Sequence, residues 1–218
     1  MAGRRKRFSA EDRHRQIIQV AMELFARQGF EGTTTRQISE RARVNEAIIF
    51  RHFPHKEDLY WAVIEEKCRD SDGQESHDLC AADGNEREFF TAIADDILRR
   101  NSEDTTLSRL LLFSALERHQ LSHRFFRTYV ASYYEAIAGY IRRRIRAGVF
   151  RPVDPLLAAR GFLGMVIYHF LIQELFGGKR YQKFNPRKVC DTLTDIWLEG
   201  MRARGARRTR PEIPSQRR

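Results

Sequence analysis

Residues 33–56 read TTTRQISERARVNEAIIFRHFPHK, room for two helices of about two turns each, joined by a tight connection and closed by an aromatic-proline exit. Helices that short are marginal alone, because nucleation is costly and they bury little apolar surface. Two of them in succession, with no space for a core between them, need an external reason to exist. The commonest is a helix-turn-helix, whose second helix is held out to enter a DNA major groove.

Local signals place the elements around this stretch. Ser9 with Asp12 opens a first helix as a capping box, and Gly29 stops it. Ile17, Ile18, Ala21, Met22, Leu24 and Phe25 recur at helical spacing between them, which makes this helix a packing platform. Thr34 with Gln37 forms a second box, Val44 closes the turn, and Asn45 caps a helix over 46–52. Pro54 ends that helix at Phe53, since the residue before proline avoids the helical region. Glu57 and Asp58 favour the positive end of the next helix dipole.

Beyond a polar, glycine-bearing stretch at 70–85, every apolar pattern is helical: 86–100, 104–119, 121–147, 156–176 with Asp154 as cap and Pro155 in first position, and a last helix opened by Asn185-Pro186 and running through Met201. No strand pattern or internal repeat occurs. The expected class is all-α, with a basic arm at 1–8, a DNA-binding domain at 9–55, a helical regulatory and dimerisation domain at 56–204, and a disordered basic tail at 205–218.

A hydrophobic fraction of 42% with 15 phenylalanines supplies a real core, so wholesale disorder is excluded. The formal net charge of +10 is carried by the two ends, while residues 8–60 hold eight Lys/Arg against eight Asp/Glu. Basic ends on a neutral body suit arms that reach a phosphate backbone, or equally termini that serve solubility. If the arm contacts DNA, deleting residues 1–7 weakens binding and flattens its salt dependence. Cys68, Cys80 and Cys190 form no even set and, with His77, match no zinc spacing. There is no apolar signal region, and the run 162–176 is read as too short to span a bilayer, so the expectation is cytoplasmic with no membrane partner. No GxSxG, HExxH, P-loop or dinucleotide fingerprint is present, so neither an enzyme nor a cofactor is expected.

The pattern GTTTRQIS, then Ala42, Val44, Phe53, Pro54 and Lys56, resembles the DNA-binding domain of the TetR family of bacterial transcriptional regulators, from about Ile17 to Leu59. The remaining two thirds resembles that family in layout only. The resemblance implies that Thr35 binds a phosphate, that Arg36 reaches a base or phosphate, and that Asn45, Glu46 and Ala47 open the groove-reading helix, with Arg51 beside them. It implies backbone contacts for His52 and Lys56. Phe50 stands where the family usually has a phosphate-bonding tyrosine and lacks the hydroxyl. Arg43 replaces the usual turn glycine, at a cost on the order of 1 kcal/mol if the positive φ is kept. Glu46 replaces a frequent lysine, repelling phosphates but able to accept from cytosine N4.

A helix-turn-helix monomer reads too few base pairs, so a two-fold homodimer on a palindromic operator is expected. Gly161 and Gly164 permit close helix approach, and Phe162, Val166, Phe170, Leu193, Trp197 and Met201 offer a dimer seam; each also serves as ordinary core. The aromatic middle helices suit a cavity for a small apolar effector, lined by Trp61, Phe90, Phe113, Tyr133 and Tyr134 with Glu117 and His169 as polar anchors, or equally a plain core. The function expected is a ligand-responsive DNA-binding repressor. The alternative is a DNA-binding scaffold whose helical domain takes protein partners.

Overall fold

The computed structural model describes residues 9–72, 85–117 and 120–203. The expectations for the arm at 1–8, the stretch 73–84 with His77 and Cys80, and the tail at 205–218 lie outside the described residues. Those described form ten α-helices: α1 Ala10–Gln28, α2 Thr35–Ala42, α3 Glu46–His52, α4 Lys56–Asp72, α5 Glu86–Glu103, α6 Thr106–Leu116, α7 Gln120–Phe125, α8 Ala131–Arg146, α9 Pro155–Phe170 and α10 Pro186–Met201. The only strand-like pairing among them is an isolated bridge between Phe150 and Arg202. The expected caps are in place: both boxes, Asn45 accepting from the Ala47 amide, and Asp154 and Asn185 capping helices whose first residue is proline.

Two compact units result. The first combines described residues within 1–78 with 99–132. Its centre is α1, which packs against α2, α4 and α6. Ile17, Ala21 and Phe25 from α1 meet Ile38, Ile49, Leu59, Tyr60, Ile64 and Leu110, all buried. Tyr60 donates its hydroxyl to the Leu110 carbonyl at 2.6 Å, and burial drives its ionisation well above the usual tyrosine range. Arg109 reaches the Ala26 carbonyl at 2.7 Å, and Lys67 pairs with Asp104 at 2.6 Å. The expected boundary between residues 55 and 56 therefore does not coincide with the division of the structure. Helix α4 and the segment 99–132 complete the core that α1–α3 are too short to close.

The second unit holds described residues within 79–98 and 133–218. Its core is an aromatic cluster in which Phe90 lies 4.9 Å from Phe162 and 4.2 Å from Trp197 between ring centroids. The Trp197 indole donates to the Ala158 carbonyl at 3.2 Å, giving the buried N–H its partner. Arg87 spans Asp191 and Asp195 at 3.1 and 2.9 Å, and Arg144 pairs with Glu86.

Two expectations are corrected. The helix expected over 121–147 is broken by a π-turn at Phe126–Val130, and α9 runs into another at Leu171–Leu175; each inserts a residue and rotates the following face. The apolar stretch is also longer than 162–176. Because Pro155 starts the helix and Leu156 to Ala159 join it, Pro155–Leu175 is 21 residues with mean hydropathy 1.6, long and apolar enough to cross a membrane by length and composition alone. Ala159, Phe162, Leu163, Val166 and Phe170 on it face the core of the second unit.

Candidate nucleic-acid interface

The turn between α2 and α3 is held from several sides. Arg43 takes φ 53° and ψ 45°, the one positive φ at a non-glycine residue among those described. The turn thus keeps the left-handed residue that the motif demands even though glycine is absent. The Val44 amide returns to the Ser39 carbonyl at 3.0 Å, and Gln16 of α1 donates to the Ala42 carbonyl at 3.1 Å. On the other side of α2, buried Thr33 donates its hydroxyl to the Gly29 carbonyl at 2.8 Å. Glu117 accepts from the amides of Phe30 and Glu31 at 3.1 and 3.4 Å, an anchor 87 residues away that no local signal announces.

On this frame the expected contact residues fall into two groups. Asn45, Ala47, Phe50 and Arg51 are exposed, Phe50 to 46%, and Glu46 is half-buried beside them. With 3.6 residues per turn, 46, 47, 50 and 51 lie on one face of α3, turned away from buried Ile49. Arg36 is exposed and pairs with Glu40 at 3.0 Å, and Arg41 pairs with Glu23 at 2.6 Å. Exposed pairs of this kind are worth about 0–1 kcal/mol, weak enough to be exchanged for phosphate.

The other group is committed inside the protein. Thr35 donates its hydroxyl to Glu46 Oε1 at 2.5 Å. Lys56 donates to the Thr33 carbonyl at 2.9 Å and lies 4.0 Å above the Phe30 ring, which makes it a staple across the α1–α2 connection. His52 Nε2 is buried without a hydrogen-bond partner among the described residues. Its ring packs edge-on to His14 at 5.6 Å. The expected backbone contact is therefore closed to this nitrogen, because α1 covers it. Burial, then the neighbouring His14 and Arg51 charges, pulls its pKa below the ordinary histidine value. His14, which also stacks on Phe53 at 4.7 Å, carried no signal in the sequence beyond its place on the polar side of α1.

The expected effector-lining residues divide between the units. In the first, Trp61 is buried under the Arg124 guanidinium at 3.8 Å, while Phe113 and Glu117 lie against Gly29. A cleft of about 1210 Å³ on this unit is lined by Glu31, Glu57, Glu117, Leu121, His123, Arg124, Phe126 and others; of the expected set, only Glu117 borders it. In the second unit Phe90 is core, and Tyr133 and Tyr134 pack against that core from its margin. His169 meets Phe184 edge-on at 5.6 Å, its pKa lowered by burial against an opposing pull from Glu174. Among the described residues no group of three or more His, Cys, Asp or Glu side chains is placed to hold a metal ion.

The expected dimer seam is corrected in its facing. Phe162, Val166, Phe170, Trp197 and Met201 are buried in the second unit, and Leu193 packs against them, because the larger side chains of α9 and α10 pack on each other. The opposite face carries Leu157, Gly161, Gly164 and Tyr168 on α9 and Thr192, Ile196 and Gly200 on α10, all exposed. A Cβ added at Gly161, Gly164 or Gly200 meets nothing within 4 Å, so these glycines answer to no packing among the described residues.

Residues 17–63 match the family of bacterial regulatory proteins called tetR, and residues 88–200 match the C-terminal domain of AefR-like transcriptional repressors. The uncharacterized HTH-type transcriptional regulator YvkB of Bacillus subtilis is 22% identical over 87% of this chain and 97% of its own length. Among solved structures, AibR in complex with isovaleryl coenzyme A and operator DNA is 22% identical, with a TM-score of 0.66 over 84% of this chain and 97% of that one. The regulator FadR of Bacillus subtilis, in complex with stearoyl-CoA, is 18% identical, with a TM-score of 0.66 over 86% and 98%. The chain belongs to the tetR family of bacterial regulatory proteins and is a transcriptional regulator, not an enzyme.

Proposed function

We propose that this regulator is a cytoplasmic repressor that binds a palindromic operator as a two-fold homodimer and leaves it on binding a small apolar acyl group carried on coenzyme A. The observation that carries the DNA-binding part is α3: a capped helix whose 46/47/50/51 face stands outward while its inner face is fixed by Ile49. On this reading Arg36, Asn45, Glu46, Ala47, Phe50 and Arg51 meet the groove, and Lys56 supports them from behind. The repressor assignment is supported by the match to the C-terminal domain of AefR-like repressors. The acyl-CoA class is supported by two structural neighbours, AibR in complex with isovaleryl coenzyme A and FadR in complex with stearoyl-CoA.

Two half-sites about 34 Å apart require two copies. The exposed stripe Leu157–Gly161–Gly164–Tyr168, spaced at intervals of four, three and four, has the period of a helix–helix seam, and Ile196 at 59% exposure continues it. Within the first unit Glu117, which borders the cleft, remains the residue proposed to sense the effector, which releases DNA by favouring the conformation that misplaces α3.

Fluorescence anisotropy on an operator duplex, titrated with isovaleryl-CoA and then stearoyl-CoA, tests this. The expected result is release by at least one of them at micromolar concentration. DNA affinity unchanged by both refutes the acyl-CoA reading and leaves a regulator governed by other means.

A further inference from the structure

On that DNA-binding reading, we infer that Glu46 selects a cytosine in each operator half-site and that Thr35 serves as its positioning residue rather than as a phosphate ligand. Glu46 is the first residue of α3, on the outward face with Ala47, Phe50 and Arg51. A carboxylate there is repelled by the phosphates on both sides of the groove, so its presence weakens binding to DNA at large. A base contact compensates only where the base edge offers a hydrogen to a pure acceptor. Cytosine does so through its N4 amino group, with no acceptor of its own on that edge, whereas adenine sets its N7 acceptor beside its N6 amino group.

Left to itself, a glutamate at a helix start samples several rotamers. Here the Thr35 hydroxyl, half-buried at the start of α2, donates to Oε1 and restricts the carboxylate to one direction. Oε2 makes no hydrogen bond among the described residues. The neighbouring acceptor is more committed: Asn45 Oδ1 is taken by the Ala47 amide at 2.9 Å. That leaves Glu46 as the outward-facing acceptor of α3. Phe50, one turn further on and 46% exposed, presents an apolar ring suited to a thymine methyl. Four residues of helix rise about 6 Å, against about 3.4 Å per base pair, which sets the thymine about one or two base pairs from the cytosine.

The test is in vitro selection from a randomised double-stranded DNA library, with the full-length wild type and the variants Glu46→Gln, Glu46→Ala and Thr35→Val. The wild type is expected to enrich an inverted repeat with cytosine at one fixed half-site position, preferred roughly tenfold or more over other bases. Glu46→Gln converts that preference to adenine, whose N6/N7 pair matches an amide, and Glu46→Ala abolishes it. Thr35→Val weakens it several-fold while the half-site spacing stays the same. If the Glu46 variants enrich the wild-type sequence, or bind every sequence more tightly without changing it, Glu46 only repels phosphate and the inference is overturned. Enrichment of nothing by the wild type overturns the DNA-binding reading itself.

Discussion

Glu117 and Gly29 are predicted to be energetically coupled, although one belongs to α6's exit and the other to α1's. Gly29 has φ 78° and ψ 178°, a region that is essentially glycine-only and costs any other residue about 1–3 kcal/mol. A Cβ placed there would lie 2.3 Å from Glu117 Oε1. Gly29→Ala therefore pays for its backbone and also displaces the carboxylate from the amides of Phe30 and Glu31. Glu117→Ala alone removes a charged acceptor from the Phe30 amide of a buried residue, at about 1.5–3 kcal/mol; the contact to Glu31 at 3.4 Å adds little. In the double variant the carboxylate is already gone, so the alanine methyl no longer displaces it; the lost hydrogen bond is counted once, and the backbone penalty and the 3.1 Å approach to Phe113 remain. The double variant should accordingly be about 1–2 kcal/mol less destabilised than the sum of the two singles. Urea denaturation of the full chain, followed by circular dichroism at a helical wavelength, measures all four corners of the cycle. Effects that add to within about 0.5 kcal/mol would refute the contact as drawn.

Arg43→Gly relieves a left-handed residue worth about 1–2 kcal/mol but loosens the unfolded chain by about 0.5–1 kcal/mol, so a net gain of about 0.5–1 kcal/mol and a slightly higher Tm are expected; a lower Tm contradicts the turn geometry. Ile196→Glu, at an exposed position, is expected to give a folded monomer by light scattering, against the dimer proposed for the wild type. The adjacent Trp197→Ala, in the core, should instead cost about 3–5 kcal/mol of stability; an Ile196→Glu dimer sinks the proposed seam. His52 is held below its ordinary pKa by burial, His14 and Arg51, so the fold prefers its neutral form and its contribution is complete above about pH 6.5. As pH falls through and below that value stability declines, and His169, shifted the same way by burial, adds to the loss. His52→Gln should flatten the fall in urea midpoint between pH 7.5 and pH 5, and an unchanged fall would assign the effect elsewhere.

Much of the helical layout was legible because its causes are local. A Ser, Thr, Asn or Asp at a helix start is read within four residues, and Ser9, Thr34, Asn45, Asp154 and Asn185 all cap as their neighbours require. The positive φ of Arg43 was legible through the resemblance, because Arg43 stands where the family usually has its turn glycine. The facing of α9 was not. A helix apolar on nearly every side carries no stripe to tell inside from outside, so Phe162, Val166 and Phe170 served equally as seam or core until α10 was packed against them. The same holds for contacts distant in sequence: Glu117 to Phe30, Arg109 to Ala26 and Lys67 to Asp104 join residues that no periodicity links, and they are what gathers 99–132 with the first helices. The Thr35–Glu46 hydrogen bond is of this kind on a smaller scale. Each residue was singled out for its own relation to DNA, and their relation to each other depends on how α2 and α3 meet.

The outward face of α3 is proposed to read DNA sequence. DNase I footprinting of the full-length protein on the DNA flanking its own gene tests this most directly. The expected result is one sharply protected inverted repeat, with half-sites centred about one helical turn apart, whose protection is lost when Ala47 and Arg51 are replaced by glutamate. Diffuse protection that spreads evenly with protein concentration and survives that replacement would contradict it.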